Sequence, residues 1–534
     1  MQADGLQTIG YDHGDYNVVT NYVKGNNSYT VFAGANYSHV DGTETWNNEN
    51  YQFTQSLFDR ESYSKNSYRN HQEYMQFRYQ NQKGKRYWVG KFTLVNLSTP
   101  RNASSGFAKE STETDVFSNI RKKSLSPKID LNANLPLSKN QTLILGVHGN
   151  YSANSYHRLY QEQPFETMTD EDEKALSFQL SAIYNYFSQK HSLSMELFHY
   201  HDVWNADYSG NCELWQHLWK GESLAFFSYN FQASRRLSLK TRIGLDWLQY
   251  HLHGDNSFSQ LSPRINTNVQ YQLNKGMLLW SFNFVNSNHG MDIINRAMIQ
   301  INSHIMEKGM PELKKSHDIN TYLYYMGRFN RLSVSAIGQF RYNHHPVTDD
   351  YYLDEANGKI VKTYSNGGNA QYYSAILALQ YKLCKFANLS GDIRYNHAEV
   401  KTTWSKHNNN LTGNLGLNMF MGDFALKPCL HFGKKSLDEA AWVISKTPID
   451  YGMSCSYSRG NLYVELQAVS PFKKQEKQYW LDLPIYSYSK SIKDQTASQY
   501  ASIKVAYSFD FGRKIQKVEK DVNKNINSSL LRVE

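Results

Sequence analysis

The sequence predicts an all-β protein, a transmembrane antiparallel up-and-down β-barrel of about 22 strands. Three observations point there: apolar residues alternate with polar ones, short turns alternate with longer polar connections, and no apolar run is long enough for a membrane helix. The clearest repeat covers residues 129–151. Alternate positions from Ile129 to Leu137 are apolar, a polar turn follows, and the alternation resumes from Leu143 to Tyr151. This pattern is typical of an amphipathic β-hairpin.

The composition is compatible with a large barrel. The 534 residues include 40 Tyr and 26 Phe but only 11 Pro. Mean hydropathy is −0.65, and a barrel tolerates this because only alternate strand residues meet lipid, whereas the lumen and the outer loops are polar. An aromatic share of 14% suits girdles at the two membrane interfaces. The competing fold, an array of soluble β-sandwiches, more often shows polar linkers and strands that are apolar on both faces.

Charge and cysteine content exclude several function classes. The net charge of +9 is spread along the chain, which predicts weak attraction to anionic lipid and no nucleic-acid site. The four cysteines form no CxxC pair, so no zinc or redox motif is expected. The N-terminus lacks the basic and apolar regions of a secretory signal. We therefore expect the chain to be a piece of a larger precursor, or a processed or recombinant form.

Turn signals set the number of strands. Ten short turns rich in Gly, Asn, Asp and Ser alternate with eleven longer connections, which implies about 22 strands, the size of plugged outer-membrane transporters. The first strand, near Gln7 to Gly10, has the weakest pattern. The short turns are expected on the periplasmic side. The main outer loops are predicted at 41–70, 98–124, 152–174, 203–221, 288–315, 344–369, 434–449 and 471–499. We expect residues 1–512 to form the barrel and 513–534 to form a charged, solvated tail.

Four segments in the C-terminal half carry a family resemblance. The run 261–265 (LSPRI) resembles an LSPR strand entry, and 308–314 (KGMPELK) resembles a GNPxLKPE element in which Lys315 and Ser316 replace Pro and Glu. The run 469–472 (VSPF) resembles an NPF element, and 507–514 (YSFDFGRK) resembles a final strand. In this order and spacing, the chain resembles the barrel of TonB-dependent receptors of the Bacteroidetes outer-membrane family, which includes SusC-like and siderophore receptors.

The resemblance implies location in the bacterial outer membrane and energised uptake of a scarce ligand such as a glycan, a peptide or a metal chelate. It also implies insertion by the barrel-assembly machinery and, by analogy with SusC-like receptors, a surface lipoprotein lid. Nothing before residue 15 resembles a TonB box or a plug, so coupling to TonB is expected only if a longer precursor supplies them. A plugless passive pore or structural barrel is the alternative function, and a barrel enzyme is a third.

Few residues suggest a specific site. Trp204, Trp215 and Trp219 cluster in a predicted outer loop, where a helical turn over 212–220 would place two of them on one face. They are weak candidates for ligand binding, and packing within the loop is the competing interpretation. Tyr507, Phe509 and Phe511 supply outward aromatics that resemble an assembly signal.

Metal sites and catalysis find little support in the sequence. His199 with His201, and His251 with His253, continue the outward register of their strands, so they are expected as rim residues. The acidic runs at 169–173 and 349–350 are expected as solvated loops, and the run at 169–173 lacks the glycine and the spacing of a calcium loop. There is no nucleophile elbow or metal motif. No catalytic residue, metal or cofactor is therefore predicted.

Overall fold

A computed structural model describes residues 1–53, 57–255, 257–287, 289–472, 474–494, 498–509 and 522–528. Twenty-two antiparallel strands form a closed wall, which confirms the predicted fold class and strand count. The first strand pairs with the last, Gln2 opposite Ser508 and Ile9 opposite Ala501. The wall therefore has no free edge, as a β-structure in a bilayer requires.

The described residues form thirty strands and one short helix, numbered in chain order. The 22 wall strands are β1 Gln2–Ile9, β2 Asp12–Lys24, β3 Asn27–Gln52, β4 Leu57–Lys83, β5 Arg86–Lys109, β6 Glu113–Ser138, β7 Gln141–Glu162, β8 Phe165–Phe187, β9 His191–Gly210, β10 Leu214–Gln232, β11 Leu237–Leu252, β12 Phe258–Leu273, β13 Gly276–Ser287, β16 Ser316–Phe329, β17 Leu332–His344, β20 Asn369–Cys384, β21 Ala387–Lys401, β22 Ser405–Met421, β23 Phe424–His431, β26 Asp450–Arg459, β27 Leu462–Val469 and β30 Tyr500–Ser508.

The other strands lie on the side opposite the short turns. Two hairpins extend the wall: β24 Lys434–Leu437, β25 Ile444–Thr447, β28 Gln475–Asp482 and β29 Tyr486–Asp494. A separate four-stranded sheet and the helix come from two connections: α1 Met291–Ile294, β14 Met298–Gln300, β15 Ile305–Lys308, β18 Thr348–Asp354 and β19 Lys359–Ser365. No helix among the described residues is long and apolar enough to cross a membrane.

All ten predicted short turns join consecutive wall strands. Gly25, Gly84, Gly422 and Gly460 adopt positive φ angles between 58° and 63° in four of them. Glycine is favoured there because a Cβ atom disfavours the left-handed backbone that tight hairpins need. The shortness of these turns matches the periplasmic side of an outer-membrane barrel.

Alternation separates the two faces of the wall. On β11, Ile243, Leu245 and Trp247 are about half exposed on the outside, whereas Asp246 between them is fully buried on the inside. Outward apolar and inward polar side chains are what a lipid exterior and a polar lumen require. The alternation that predicts amphipathic wall strands therefore holds for β11.

Four predicted outer loops were wrong. The spans 41–70, 98–124, 152–174 and 203–221 lie almost entirely within β3 to β10, which contain 19 to 27 residues each. The longest strand is roughly 90 Å at about 3.3 Å per residue, far more than the bilayer demands. The polar composition of these spans indicates exposure to water, but it carries no information on backbone pairing. Each of these strands extends into water because its backbone stays hydrogen-bonded to that of the neighbouring strand.

The outward residues of β8 indicate where the wall leaves the membrane. Its outward residues are apolar at Leu180 and Leu176 and become charged at Lys174, Asp172 and Asp170. Charged side chains on the outer face are tolerated above the lipid but not within it. The upper part of the tall strands therefore stands in water.

On the outer side, four strands replace six. Six wall strands end below the upper part of the tall strands: β23, β26, β27, β30, β1 and β2. Above them, the space between β22 and β3 is bridged by β24, β25, β28 and β29. The pairing of β29 with β3 runs from Tyr486 opposite Tyr51 to Lys493 opposite Glu44. The last two predicted loops, at 434–449 and 471–499, thus contribute strands to the outer wall.

Candidate functional site

Two connections fold inward and cover the outer mouth of the barrel. They comprise residues 289–315 and 345–368, which we call the cap. Their strands form one sheet, in which β15 pairs in parallel with β19, Ile305 opposite Ile360. The predicted outer connections at 288–315 and 344–369 are confirmed in their bounds, because they join β13 to β16 and β17 to β20. They are not solvated loops, because several of their apolar residues pack inside the mouth.

A first apolar cluster attaches the cap to β9, β10 and β11. Met291, Ile294 and Ile299 of the cap are each at most 2% exposed. Their cluster includes these residues of the wall: Ile120, Tyr156, Ala175, Trp204, Ala206, Tyr208, Leu218 and Leu252. Burying each large apolar side chain contributes roughly 1.5–3 kcal/mol. The cap and the inner wall therefore share a core.

A second apolar cluster holds the opposite side of the cap. Ile305 and Ile360 pack with Trp442, which is fully buried and lies between β24 and β25. The indole nitrogen of Trp442 donates a hydrogen bond to the carbonyl oxygen of Asp349 at 2.7 Å. Tyr51, Leu481 and Tyr486 complete the contact from β3, β28 and β29.

An arginine at the centre of three glutamates joins the cap to the tall strands. The Arg60 guanidinium lies 2.7 Å from Glu49, 2.8 Å from Glu162 and 3.6 Å from Glu110, and its side chain is 5% exposed. Ser303 of the cap donates to Glu162 at 3.0 Å, and His304 lies 2.8 Å from Glu110. Buried charges need partners of this kind.

A second charged network lies where the cap meets β11 and β12. The Lys315 ammonium contacts Asp246 at 2.9 Å, and both side chains are fully buried. Arg264 contacts the same carboxylate at 2.6 Å and Glu222 at 3.1 Å. Arg158 donates from β7 to the carbonyl oxygens of Gln300 at 3.0 Å and of Ile301. The cap is thus bound to the wall on several sides.

The cap sheet contains an ionisable group of its own. Asp349 lies 3.5 Å from the Lys362 ammonium, which lies 3.7 Å from Glu307. Burial raises the pKa of Asp349 to about 6, although Lys362 opposes the shift. The two carboxylates raise the pKa of Lys362 above its ordinary value despite its burial.

The lumen below the cap holds the chain's own C-terminal segment, residues 522–528. Its carbonyl oxygens accept hydrogen bonds from Lys128, Ser152 and Asn154 on the inner wall. The predicted solvated tail is therefore wrong for these seven residues. Because these residues have no strand pattern, water was expected to donate hydrogen bonds to their carbonyl oxygens. The polar side chains of the lumen supply such donors instead.

The tryptophan cluster predicted as a ligand platform is divided. Trp204 faces inward and is 6% exposed, in the core beneath the cap, whereas Trp215 is 49% exposed on the outside. Trp219 shares the outer face with Trp215 because both lie on β10, which is a strand and not the predicted helical turn. The outer ring of Trp215 stacks with His217 and packs edge-on against His253.

The other candidates have the following positions. The two histidine pairs face outward as predicted, and no group of three metal-binding side chains occurs in the described part of the chain. The acidic run 169–173 is not a solvated loop, because Glu171 and Glu173 on β8 are buried toward the cap. Asp349 is likewise buried. Tyr507 and Phe509 are exposed on the outer face, and Phe511 lies outside the described residues.

Sequence reasoning missed Arg60, Glu49 and Lys315, which form the charged anchors. Arg60 and Glu49 lie in a span predicted as a loop, so no inward register was assigned to them. A signal was available at Gly309, within the run that resembles the GNPxLKPE element. A Cβ atom there would lie 2.3 Å from the carbonyl oxygen of Asn295 and 2.7 Å from that of Ile293, so this glycine permits the cap's close packing.

A closed wall of 22 strands, apolar outside and polar inside, defines a bacterial outer-membrane β-barrel of transporter size. Solved structures share this fold. The copper transporter OprC matches 95% of this chain and 80% of its own, with a TM-score of 0.67 and 10% identity. The FrpB iron transporter of Neisseria meningitidis matches 95% and 81%, with a TM-score of 0.60 and 8% identity.

The ferric enterobactin receptor PfeA of Pseudomonas aeruginosa matches 95% of this chain and 80% of its own, with a TM-score of 0.62 and 9% identity. At these identities the likeness concerns the fold. No protein-family model matches the sequence, and no curated protein matches it.

Proposed function

We propose that this chain is the barrel of an outer-membrane transporter or receptor of the TonB-dependent type, which takes up a scarce ligand. The observation that carries the proposal is a wall of transporter size whose outer mouth is covered by a bonded cap. A barrel built only for passive diffusion gains nothing from a cap whose anchors include two buried ion networks.

A metal chelate is the favoured ligand class. The structural neighbours named above are a copper transporter, an iron transporter and a ferric enterobactin receptor, and the sequence motifs resemble siderophore and SusC-like receptors of the Bacteroidetes. Glycans and peptides remain the other classes that the resemblance implies. These neighbours favour transport over catalysis. A surface lipoprotein and the barrel-assembly machinery are proposed partners, and TonB is proposed for a form that carries a plug.

Conductance separates this proposal from the passive pore. The full chain in a planar lipid bilayer should conduct little at rest, because the cap covers the mouth. Arg60→Ala, which leaves three carboxylates around an empty position, should raise the current, and the exposed Arg459→Ala serves as the control. A steady, large current through the unmodified protein would overturn the gated transporter and favour the pore.

Binding separates the transporter from a structural barrel. Cu²⁺ and ferric enterobactin are suitable probes, followed by isothermal titration calorimetry of the purified protein. Micromolar binding of either probe supports the transporter. A closed barrel that binds neither would favour the structural function.

A further inference from the structure

The C-terminal segment crosses the inner wall as an extended chain. The carbonyl oxygens of Asn523 and Asn525 accept from the Lys128 ammonium on β6, the first at 3.2 Å. Two residues further on, the carbonyl oxygen of Asn527 accepts from Ser152 and, at 3.2 Å, from Asn154 on β7. This spacing of two is that of an extended backbone, whose alternate carbonyl groups point the same way.

The wall donors are deeply buried beneath the segment. Ser152 is 0%, Lys128 is 2% and Asn154 is 4% exposed. A buried ammonium is costly unless electronegative atoms surround it. Among the described residues, the hydrogen-bond acceptors of Lys128 are both main-chain carbonyl oxygens of the segment. The segment therefore supplies what this lysine requires.

Side-chain contacts fix the position of the segment along the wall. The Lys524 ammonium lies 4.3 Å from the centre of the Tyr74 ring on β4, a cation–π distance. Gln72 donates to the Lys524 carbonyl oxygen at 3.4 Å, and Asn527 donates to Ser177 on β8 at 2.5 Å. Asn523 also lines a cavity of about 310 Å³ with Asp130, His148 and Gln179.

We propose that this part of the lumen is a peptide-binding site and that residues 522–528 are its resident, displaceable ligand. The site consists of Gln72, Tyr74, Lys128, Ser152, Asn154 and Ser177, which we call the lumen strip. It binds an extended peptide mainly through main-chain carbonyl oxygens, with Tyr74 selecting a lysine and Ser177 an amide three residues later. This binding is independent of the ligand that the barrel transports.

Disulfide trapping tests the position of the segment. The four native cysteines, all free, are replaced by serine, and Asn527→Cys is combined with Ser177→Cys. The control combines Asn527→Cys with Lys240→Cys, a lumen-facing residue of β11, three strands along the wall from β8. The first pair should oxidise spontaneously and the control should not. Equal yields for both pairs, or no bond in either, would overturn the proposal.

Variants of the strip test the chemistry. Lys128→Met with Ser152→Ala should slow trapping of the 527–177 pair about tenfold or more, the effect of losing hydrogen bonds to a charged group, and Lys240→Met should not. A free peptide of residues 520–530 should slow trapping in proportion to its concentration. An unchanged rate in either experiment would contradict a carbonyl-binding, displaceable site. The folding of each variant is verified by its heat-modifiable migration on a gel. If a variant does not fold, disulfide trapping is replaced by a photo-crosslinking residue at position Ile526 in the chain that keeps its native cysteines.

Discussion

Strands β3 to β10 form the tall part of the wall, and the other wall strands form the short part. Strands β3 to β10 contain 19 to 27 residues each, whereas no other wall strand exceeds 17. The cap comes from connections of the short part, yet much of its core lies on the inner face of the tall part. The tall strands thus support the cap, and the connections between short strands fold over the mouth and pack against the tall strands.

This division explains the buried acidic residues of the tall part. Glu49 and Glu162 lie above the lipid on tall strands, and they face the cap rather than water. Without a cap, carboxylates at these positions would be ordinary lumen residues. Their burial depends on an element that the other part of the chain supplies.

The largest expected effect is that of removing Arg60, which tests whether the tall part holds the cap. Arg60→Ala should destabilise the closed cap by about 3–5 kcal/mol, because buried carboxylates lose their partner. Proteolysis within residues 289–315, followed by mass spectrometry, measures release. Arg459→Ala, at a 75% exposed arginine, is the matched control. Equal cleavage of both variants would show that the tall part does not anchor the cap.

Two outward residues of β8 test where the tall part leaves the membrane. Leu180 and Met168 are 45% and 44% exposed, but Met168 lies beyond the charged residues of the same face. Leu180→Arg should cost about 2–4 kcal/mol, as an arginine near the middle of the bilayer does, whereas Met168→Arg should cost less than about 1 kcal/mol. The change in the free energy of unfolding of both variants is measured by refolding into liposomes at a series of urea concentrations. Similar costs would place the two positions at one depth.

The pH dependence of the cap should follow Asp349. Its pKa in the folded cap is about 6, against 3.8 when free, so the closed cap binds this proton more tightly. The contribution of Asp349 to the stability of the closed cap is complete below the free pKa. It is lost as the pH rises through about 6, and the total loss is at most about 3 kcal/mol. Asp349→Asn should remove this dependence and stabilise the cap at pH 7.5.

The ratio of wild-type to variant cleavage rates within the cap, from pH 4 to 8, measures this effect free of the protease's own pH dependence. Asp350→Asn, at the adjacent residue, serves as the control. A constant ratio for Asp349→Asn would contradict the assignment.

The smallest expected effect concerns the outside of the tall part. Trp215→Ala should change stability by less than about 0.5 kcal/mol, because the side chain is half exposed and lies outside the shared core. Thermal unfolding measures this. Weaker binding of ferric enterobactin by this variant, at unchanged stability, would support the predicted role of Trp215 as a ligand contact.

Alternation and turn chemistry predicted the wall well because each acts within a few residues. The turn at Gly84 and the outward register of Leu245 follow from local backbone and solvent preferences. The cap was missed because its contacts, such as Trp442 with Asp349, join residues far apart in the chain. For the same reason no local pattern marked Lys128 as the partner of a segment almost 400 residues away.

The replacement of six strands by four on the outer side has a geometric consequence. The diameter of a barrel grows roughly in proportion to its number of strands, so the rim is narrower than the part of the wall within the lipid. The wall is therefore wider within the lipid than at its outer end. The narrowest ring of strands therefore lies in the water above the bilayer, at the level where the cap packs against β24, β28 and β29.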